Sequence, residues 1–472
     1  MIIKWGGFVM TKDKKIITWA SIIFCFALII IYCISPLALG LNHGGNNCSF
    51  ENALGLKGSN DGFFYTGYSI TNNSTYTAGT GYMLIRPVVY LCSFFSDYFD
   101  IRVLSFLYAV ILLISVYILN KYINFNNKLA DTVFAALMIF IVFDLSYLLY
   151  LNTLYMEGLF YVLFVCSIAL YVKLINSDKF RLLLTVIFIL VAIAVCGLKQ
   201  GYALLAIPYA IMVSYLILRN KSSVYRALTG VLLCVLVVMS FAGAGYMDNT
   251  DTDKFHSVFY GALYEKDNPE KVLEYFDIAP EYESLAGKNH FDKLNYDIES
   301  ESFKKAVTDK ISPVKVFTYY LKNPGEYLKQ YKYVGWNALE TYPKYVGNYT
   351  AKSGKDAYAV AKGFRLYNTI KAKLFPKDVW FFWLIPVLLI LLLVLYRKKL
   401  NGGYVVMGIS VSIMNLILYN LPMISGGLVD ISRTMAPFNI TFDFIVIMAV
   451  MTLIYTSLMR KQEFKEKYGL TQ

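Results

Sequence analysis

Long apolar runs separated by short, positively charged loops fill the chain from residue 16 to 246 and again from 379 to 459. A helix needs about 20 mostly apolar residues to cross a hydrocarbon core. Runs near that length lie at 16–38, 102–119, 130–150, 156–173, 181–198, 202–218, 227–246, 379–396, 404–422 and 438–459. A backbone inside lipid must satisfy its own polar groups, so the pattern predicts an all-α, polytopic membrane protein with roughly ten transmembrane helices. The first run is too long for a signal-peptide core and lacks a small-residue cleavage site, so it reads as a retained helix.

Orientation follows from lysine and arginine, which resist translocation. Lys12, Lys14 and Lys15 precede the first run, and Lys121 with Lys128, Lys173 with Lys179 and Arg181, Arg219 with Lys221 and Arg226, Arg397 to Lys399, and Arg460 with Lys461 fill alternate loops. All of these fall on one side. The expectation is a multi-pass cell-membrane protein with both termini cytoplasmic. Segment 39–101, the short links 151–155 and 199–201, segment 247–377 and loop 423–437 then lie outside. Three regions result: 1–246 with seven spans and the outer loop 39–101, an extracytoplasmic helical domain at 247–377, and 378–472 with three spans. Met83 to Phe95 is apolar but short and broken by Arg86 and Pro87, which suggests an interfacial or re-entrant helix in an outer loop that carries short helices. Segment 247–377 holds about half of all charges, balanced in sign, and Asn268-Pro269, Ser312-Pro313 and Asn323-Pro324 punctuate it between amphipathic helices.

Composition agrees: 57% of residues are hydrophobic and only 16% charged, the balance of a membrane protein. The net charge of +12 could suggest nucleic acid, but these cations flank apolar runs and predict no nucleic-acid partner. Of seven cysteines, Cys25, Cys33, Cys166, Cys196 and Cys234 lie inside apolar runs, and Cys48 and Cys92 show no metal or disulfide spacing with them. The 40 tyrosines and 33 phenylalanines suit aromatic belts at the membrane interfaces as well as sugar platforms.

The polar chemistry gathers on the predicted outer side. Ser59-Asn60-Asp61-Gly62-Phe63-Phe64-Tyr65 sets an acid among aromatics shortly after the first span. Asp61 could act as general base toward an incoming hydroxyl, and Tyr65 could stack on a sugar ring. The same residues also make a good helix cap or turn. Asp144, Glu157, Lys199 and Gln200 sit at outer ends of spans, where ionisable groups face a cavity or a partner. A Glu157–Lys199 pair that only staples helices competes evenly with a ligand role. Asp430 and Arg433 precede the last span, in which Asp443 lies, and an arginine there suits a phosphate. Arg86 is a second cation, with snorkelling as its plainer explanation. His256, in Lys254-Phe255-His256-Ser257, could hydrogen-bond a substrate, although a lone histidine among aromatics is more often structural. Asp248, Asp251 and Asp253 could hold a divalent cation, and a solvated loop explains them equally well. No nucleotide loop, nucleophile elbow or paired-histidine metal motif is present in the sequence, and no metal ligand is assigned.

Asn60-Asp61-Gly62, Gly197-Leu198-Lys199-Gln200, Ser257-Val258-Phe259-Tyr260-Gly261 with Asp267-Asn268-Pro269-Glu270, Tyr320-Leu321-Lys322-Asn323-Pro324, and Asp430-Ile431-Ser432-Arg433 occur in an order that spans most of the chain. In that order and placement the chain resembles the GT-C class of polytopic glycosyltransferases, most of all bacterial hexose transferases of Gram-positive envelopes. The resemblance implies transfer of a hexose from a polyprenyl-phosphate sugar to a glycan acceptor at the extracytoplasmic face, with membrane lipid as surroundings and Asp61 as base. Arg433, Lys199, Gln200, Glu157, Arg86, His256, Tyr65 and Asp430 would form the substrate site. A transporter or flippase of lipid-linked glycan, and a non-catalytic assembly protein, are the rival readings. The sugar and the acceptor stay open.

Overall fold

The computed structural model describes residues 10–42, 49–58, 61–71, 79–246 and 250–467. Cys48, Ser59, Asn60 and Asp248 lie outside them. The chain is an all-helical polytopic membrane protein. Helices α1 (Lys12–Ile34), α2 (Thr80–Ser93), α3 (Ile101–Tyr122), α4 (Lys128–Val142), α5 (Leu145–Asn152), α6 (Met156–Asn176), α7 (Arg181–Cys196), α8 (Gln200–Arg219) and α9 (Ser223–Tyr246) build the first half. Segment 247–377 contributes, among its helices, α10 (Asp251–Ser257), α11 (Pro313–Lys322) and α12 (Pro324–Ala338). After α12 come α13 (Leu366–Leu374), α14 (Val379–Leu395), α15 (Gly402–Ser425), α16 (Ile431–Thr434) and α17 (Ala436–Lys467).

Among the described residues seven helices are long and apolar enough to cross a membrane, and up to nine spans result if α4 with α5 and α13 with α14 each count as one bent span. The tenth expected span is α7, apolar but only 16 residues long, which at about 1.5 Å per residue falls short of a 30 Å core unless the bilayer thins there.

Local sequence explains the breaks. Asp144 caps α5 by accepting from Ser146 N at 2.9 Å, which interrupts the run that began as α4. Asp100 caps α3 and Asn127 caps α4 in the same way. Each expected Asx-Pro or Ser-Pro turn opens a helix with proline in its first turn. Helix α6 is buried along nearly its whole length and forms the centre, whereas α1 and α9 turn most of their apolar surface outward, toward lipid. Lys14, expected as a solvated flank, is 2% exposed and donates to Asp131 at 2.6 Å and to Ile123 O at 2.8 Å. The segment between α1 and α3 also forms an antiparallel three-stranded sheet, Leu56–Lys57, Gly67–Ile70 and Tyr98–Asp100, which periodicity this short cannot announce.

Candidate functional site

The site grows from the start of α6. Gly158 lies so close to the preceding turn that a Cβ there would stand 2.2 Å from Tyr150 O. That contact seats Tyr150 beside Glu157, in the first turn of α6, where a carboxylate is favoured by the exposed N–H groups. Glu157 is 1% exposed. Lys199, immediately before α8, donates to its Oε1 at 2.5 Å, and Arg433 Nη1 stands 3.6 Å from the same oxygen. Arg433 also pairs through Nε with Asp430 and lies 4.7 Å above the Tyr155 ring. Tyr345 donates to the other Asp430 oxygen.

Two acids and two cations thus meet at the junction of α6, α8 and α16. Burial opposes the charge of Arg433, but Asp430 and Glu157 outweigh it and hold the guanidinium protonated, above its ordinary range. Burial and Asp430 together push the Tyr345 hydroxyl upward, so it serves as a donor. Both cations remain partly accessible, with side-chain exposures of 30% for Lys199 and 17% for Arg433. Glu157 Oε2 and the Tyr150 hydroxyl, both buried, have no hydrogen-bond partner among the described residues. A ligand hydroxyl would satisfy either of them.

The segment after α1 that bears Asp61 connects to this cluster through backbone. Gly62 has φ 81° and its carbonyl accepts from Tyr358 N at 2.8 Å. A Cβ on Gly347 would fall 1.9 Å from Gly62 O, so only glycine permits the approach. Phe64 N donates to Tyr349 O at 2.9 Å. Segment 345–349 therefore holds the Asp61 turn at one end and bonds Asp430 through Tyr345 at the other. Asp61 is exposed and accepts from Phe63 N at 3.2 Å and from the Tyr65 hydroxyl. Tyr65 orients the acid as well as offering a ring.

The other expected residues are placed differently. Arg86 donates to Ala53 O at 3.0 and 2.8 Å, which fixes α2 to the short helix Ser49–Leu54. Gln200 is half-buried at the start of α8. His256 is buried and its Nε2 accepts from His290 N at 2.9 Å, while its carbonyl backs Gly427 in the loop that leads to Asp430. Burial, with His290 adding, lowers the imidazole from its ordinary 6.5 to about 4. His256 supports the loop and is not among the groups at the cluster. Asp251 faces Lys254 at 3.6 Å and Lys304 at 3.4 Å, and no metal-binding group of three is found among the described residues.

Tyr150, Tyr155 and Tyr345 went unnoticed in the sequence among so many tyrosines. So did Lys371 on α13, which is fully buried and donates to Asp443 at 2.9 and 3.0 Å and to Asn439 at 3.0 Å. Asp443 also accepts from Tyr147 and, at 2.8 Å, from Tyr367. Asn439 in turn donates to Ala338 O at 2.6 Å, tying the first turn of α17 to the end of α12. This second polar cluster anchors both segments from which Tyr345 and Arg433 extend.

Fold and site together define a multi-pass helical membrane protein with a balanced polar cluster at one end of its bundle. Residues 10–470 match the family described as YfdI N-terminal transmembrane domain, and the chain belongs to that family. No curated protein and no solved structure matches it.

Proposed function

We propose that the protein is a membrane glycosyltransferase that moves a hexose from a polyprenyl-phosphate donor to a cell-envelope glycan at the extracytoplasmic face. The observation that carries this reading is that the 345–349 segment bonds both the turn bearing an accessible acid, Asp61, and the loop of the Glu157–Lys199–Arg433–Asp430 cluster. Membership of a transmembrane-domain family over residues 10–470 is compatible with that reading.

In this mechanism Asp61 takes the proton of an acceptor hydroxyl as its oxygen bonds to the anomeric carbon. The bond from that carbon to the phosphate oxygen breaks, and the polyprenyl phosphate leaves with its electron pair. Attack opposite the leaving group inverts the anomeric centre. Lys199 and Arg433 take up the phosphate charge, the guanidinium by its fork of donors. Each cation is already paired with an acid, so a phosphate would draw Lys199 from Glu157 and Arg433 from Asp430. A groove of about 530 Å³ between α8, α9 and α15, lined by Ile207, Ile211, Leu218, Val237 and Phe241, would suit an isoprenoid tail. It begins at Ala206, six residues beyond Gln200, about 10 Å along the helix.

The test is transfer from a panel of polyprenyl-phosphate hexoses in proteoliposomes, wild type against Asp61→Asn. The reading predicts transfer by wild type, and loss in the variant with donor still bound. Donor crossing the bilayer without transfer would establish a transporter instead, and undiminished transfer by Asp61→Asn would remove the base.

A further inference from the structure

Three helices outside the spans carry apolar stripes on their exposed faces, and on α13 the buried face is polar as well. On α13 the exposed face carries Leu366 (59%), Ile370 (43%) and Leu374 (74%), one stripe at i, i+4 and i+8, while Asn368 and Lys371 are buried. On α11 the stripe is Val314 (74%), Phe317 and Leu321 (64%), with Tyr319 and Tyr320 turned inward. On α2 it is Met83, Leu84, Tyr90 and Leu91, with Arg86 turned in toward Ala53 O. A helix facing water would hold its leucines inside and its lysine outside, so each stripe requires an apolar medium or a partner.

We infer that α11 and α13, together with α2, form a collar seated in the lipid of the membrane interface, so that the outer segment rests in the leaflet and does not stand free in water. Continuity with the lipid-facing surface names lipid as the occupant. The chain turns sharply from α13 into α14, a bend of 117° across a four-residue break, and the exposed stripe of α13 runs on into Trp380, Leu384 and Leu388 of that span. Helix α11 packs on α15, another span. Exposed Lys322, Lys373 and Lys377 lie beside the stripes, where their stems can lie along lipid and their heads reach phosphate groups. The buried Lys371–Asp443 pair locks α13 in this orientation, since turning its stripe inward would expel the lysine from its acid. The consequence is a cluster of Lys199 and Arg433 near headgroup depth, where a lipid-borne phosphate would present itself. The collar does not depend on the transferase reading.

The experiment uses the intact protein in proteoliposomes doped with a phospholipid that carries a photoreactive carbene precursor near its headgroup, followed by peptide mapping. The inference predicts adducts on 313–322 and 366–374 at a density within about threefold of that on α14. The segment around Phe291, 81% exposed in the same outer region, should take at least about tenfold fewer. Adducts on α14 with 313–322 and 366–374 as bare as the Phe291 segment would overturn the collar. So would zero-length cross-links joining these helices of two protein copies, since a second chain would then cover the stripes.

Discussion

Removing one partner of the Lys371–Asp443 pair tests the architecture most directly. Lys371 is 0% exposed and Asp443 1%, and the carboxylate accepts from the ammonium and two tyrosine hydroxyls. In Asp443→Asn the ammonium keeps Asn439 Oδ1 at 3.0 Å and the Tyr147 hydroxyl at 3.4 Å but loses its directly bonded counter-charge. In Lys371→Met the carboxylate keeps its tyrosines but loses its cation. An uncompensated buried charge costs about 3–5 kcal/mol, so each single variant should lose about that much. The double variant Lys371→Met/Asp443→Leu buries no charge and leaves two hydroxyls short of an acceptor. Its loss should be about 2–3 kcal/mol, since an unmet hydroxyl costs about 1 kcal/mol or more. Equilibrium unfolding in mixed detergent–SDS micelles, followed by tryptophan fluorescence, gives all three values. A double variant whose loss equals the sum of the singles would mean that the two groups are not coupled, and the anchoring of α13 would have to be explained by its apolar contacts alone.

Four further outcomes follow, three from the proposed transfer reaction and one from the buried His256. Asp61→Asn should lower the rate of hexose transfer by about 10²–10⁴, the usual contribution of a positioned base, with donor affinity unchanged in a binding assay. Gly347→Ala must push the Gly62 carbonyl away, because the added carbon meets backbone at 1.9 Å; transfer should fall while the detergent unfolding midpoint of the bundle shifts little. Arg433→Lys keeps the charge but loses the fork, so KM for the lipid donor should rise more than kcat falls, as steady-state kinetics would show. For His256 the folded imidazole is depressed from 6.5 to about 4, so the unfolded chain binds the extra proton between those values. Its neutral form contributes stability that is whole above pH 6.5 and is lost as pH falls toward 4, up to about 3 kcal/mol. Hydrogen exchange of α10 and the 280–290 segment should quicken over that window in wild type, and much less in His256→Phe.

Most of the architecture was legible because lipid imposes a one-dimensional rule: a span must be long, apolar and helical. That rule found α1, α3, α6, α8, α9, α15 and α17 directly. Where it erred, the cause was a polar side chain acting on the backbone. Asp144 caps α5 and bends the expected span 130–150, whereas the expected span 379–396 is α14 itself, with α13 bent away before it. The site was half legible. Glu157, Lys199, Asp430 and Arg433 stand out as charges at span ends, and the Glu157–Lys199 pair weighed in the sequence is formed. Their tyrosine partners carry no such mark among 40 tyrosines.

Lys371 shows why charge counting on a sequence stops short. It sits among Lys362, Arg365, Lys373 and Lys377, and nothing in that run says which one is buried. The distinction lies in the register of the apolar residues: Leu366, Ile370 and Leu374 share one face, and Asn368 and Lys371 fall opposite it. In a water-soluble protein that pattern would place the leucines in the core and the lysine outside. The pattern inverts only because the outside is lipid, so the burial of Lys371 depends on the medium beside α13. Asp443 then provides the counter-charge without which the lysine could not remain inside. The chain thus uses one ion pair to orient a helix at the interface and to fix the first turn of α17, three residues beyond Arg433, where the proposed phosphate contact begins.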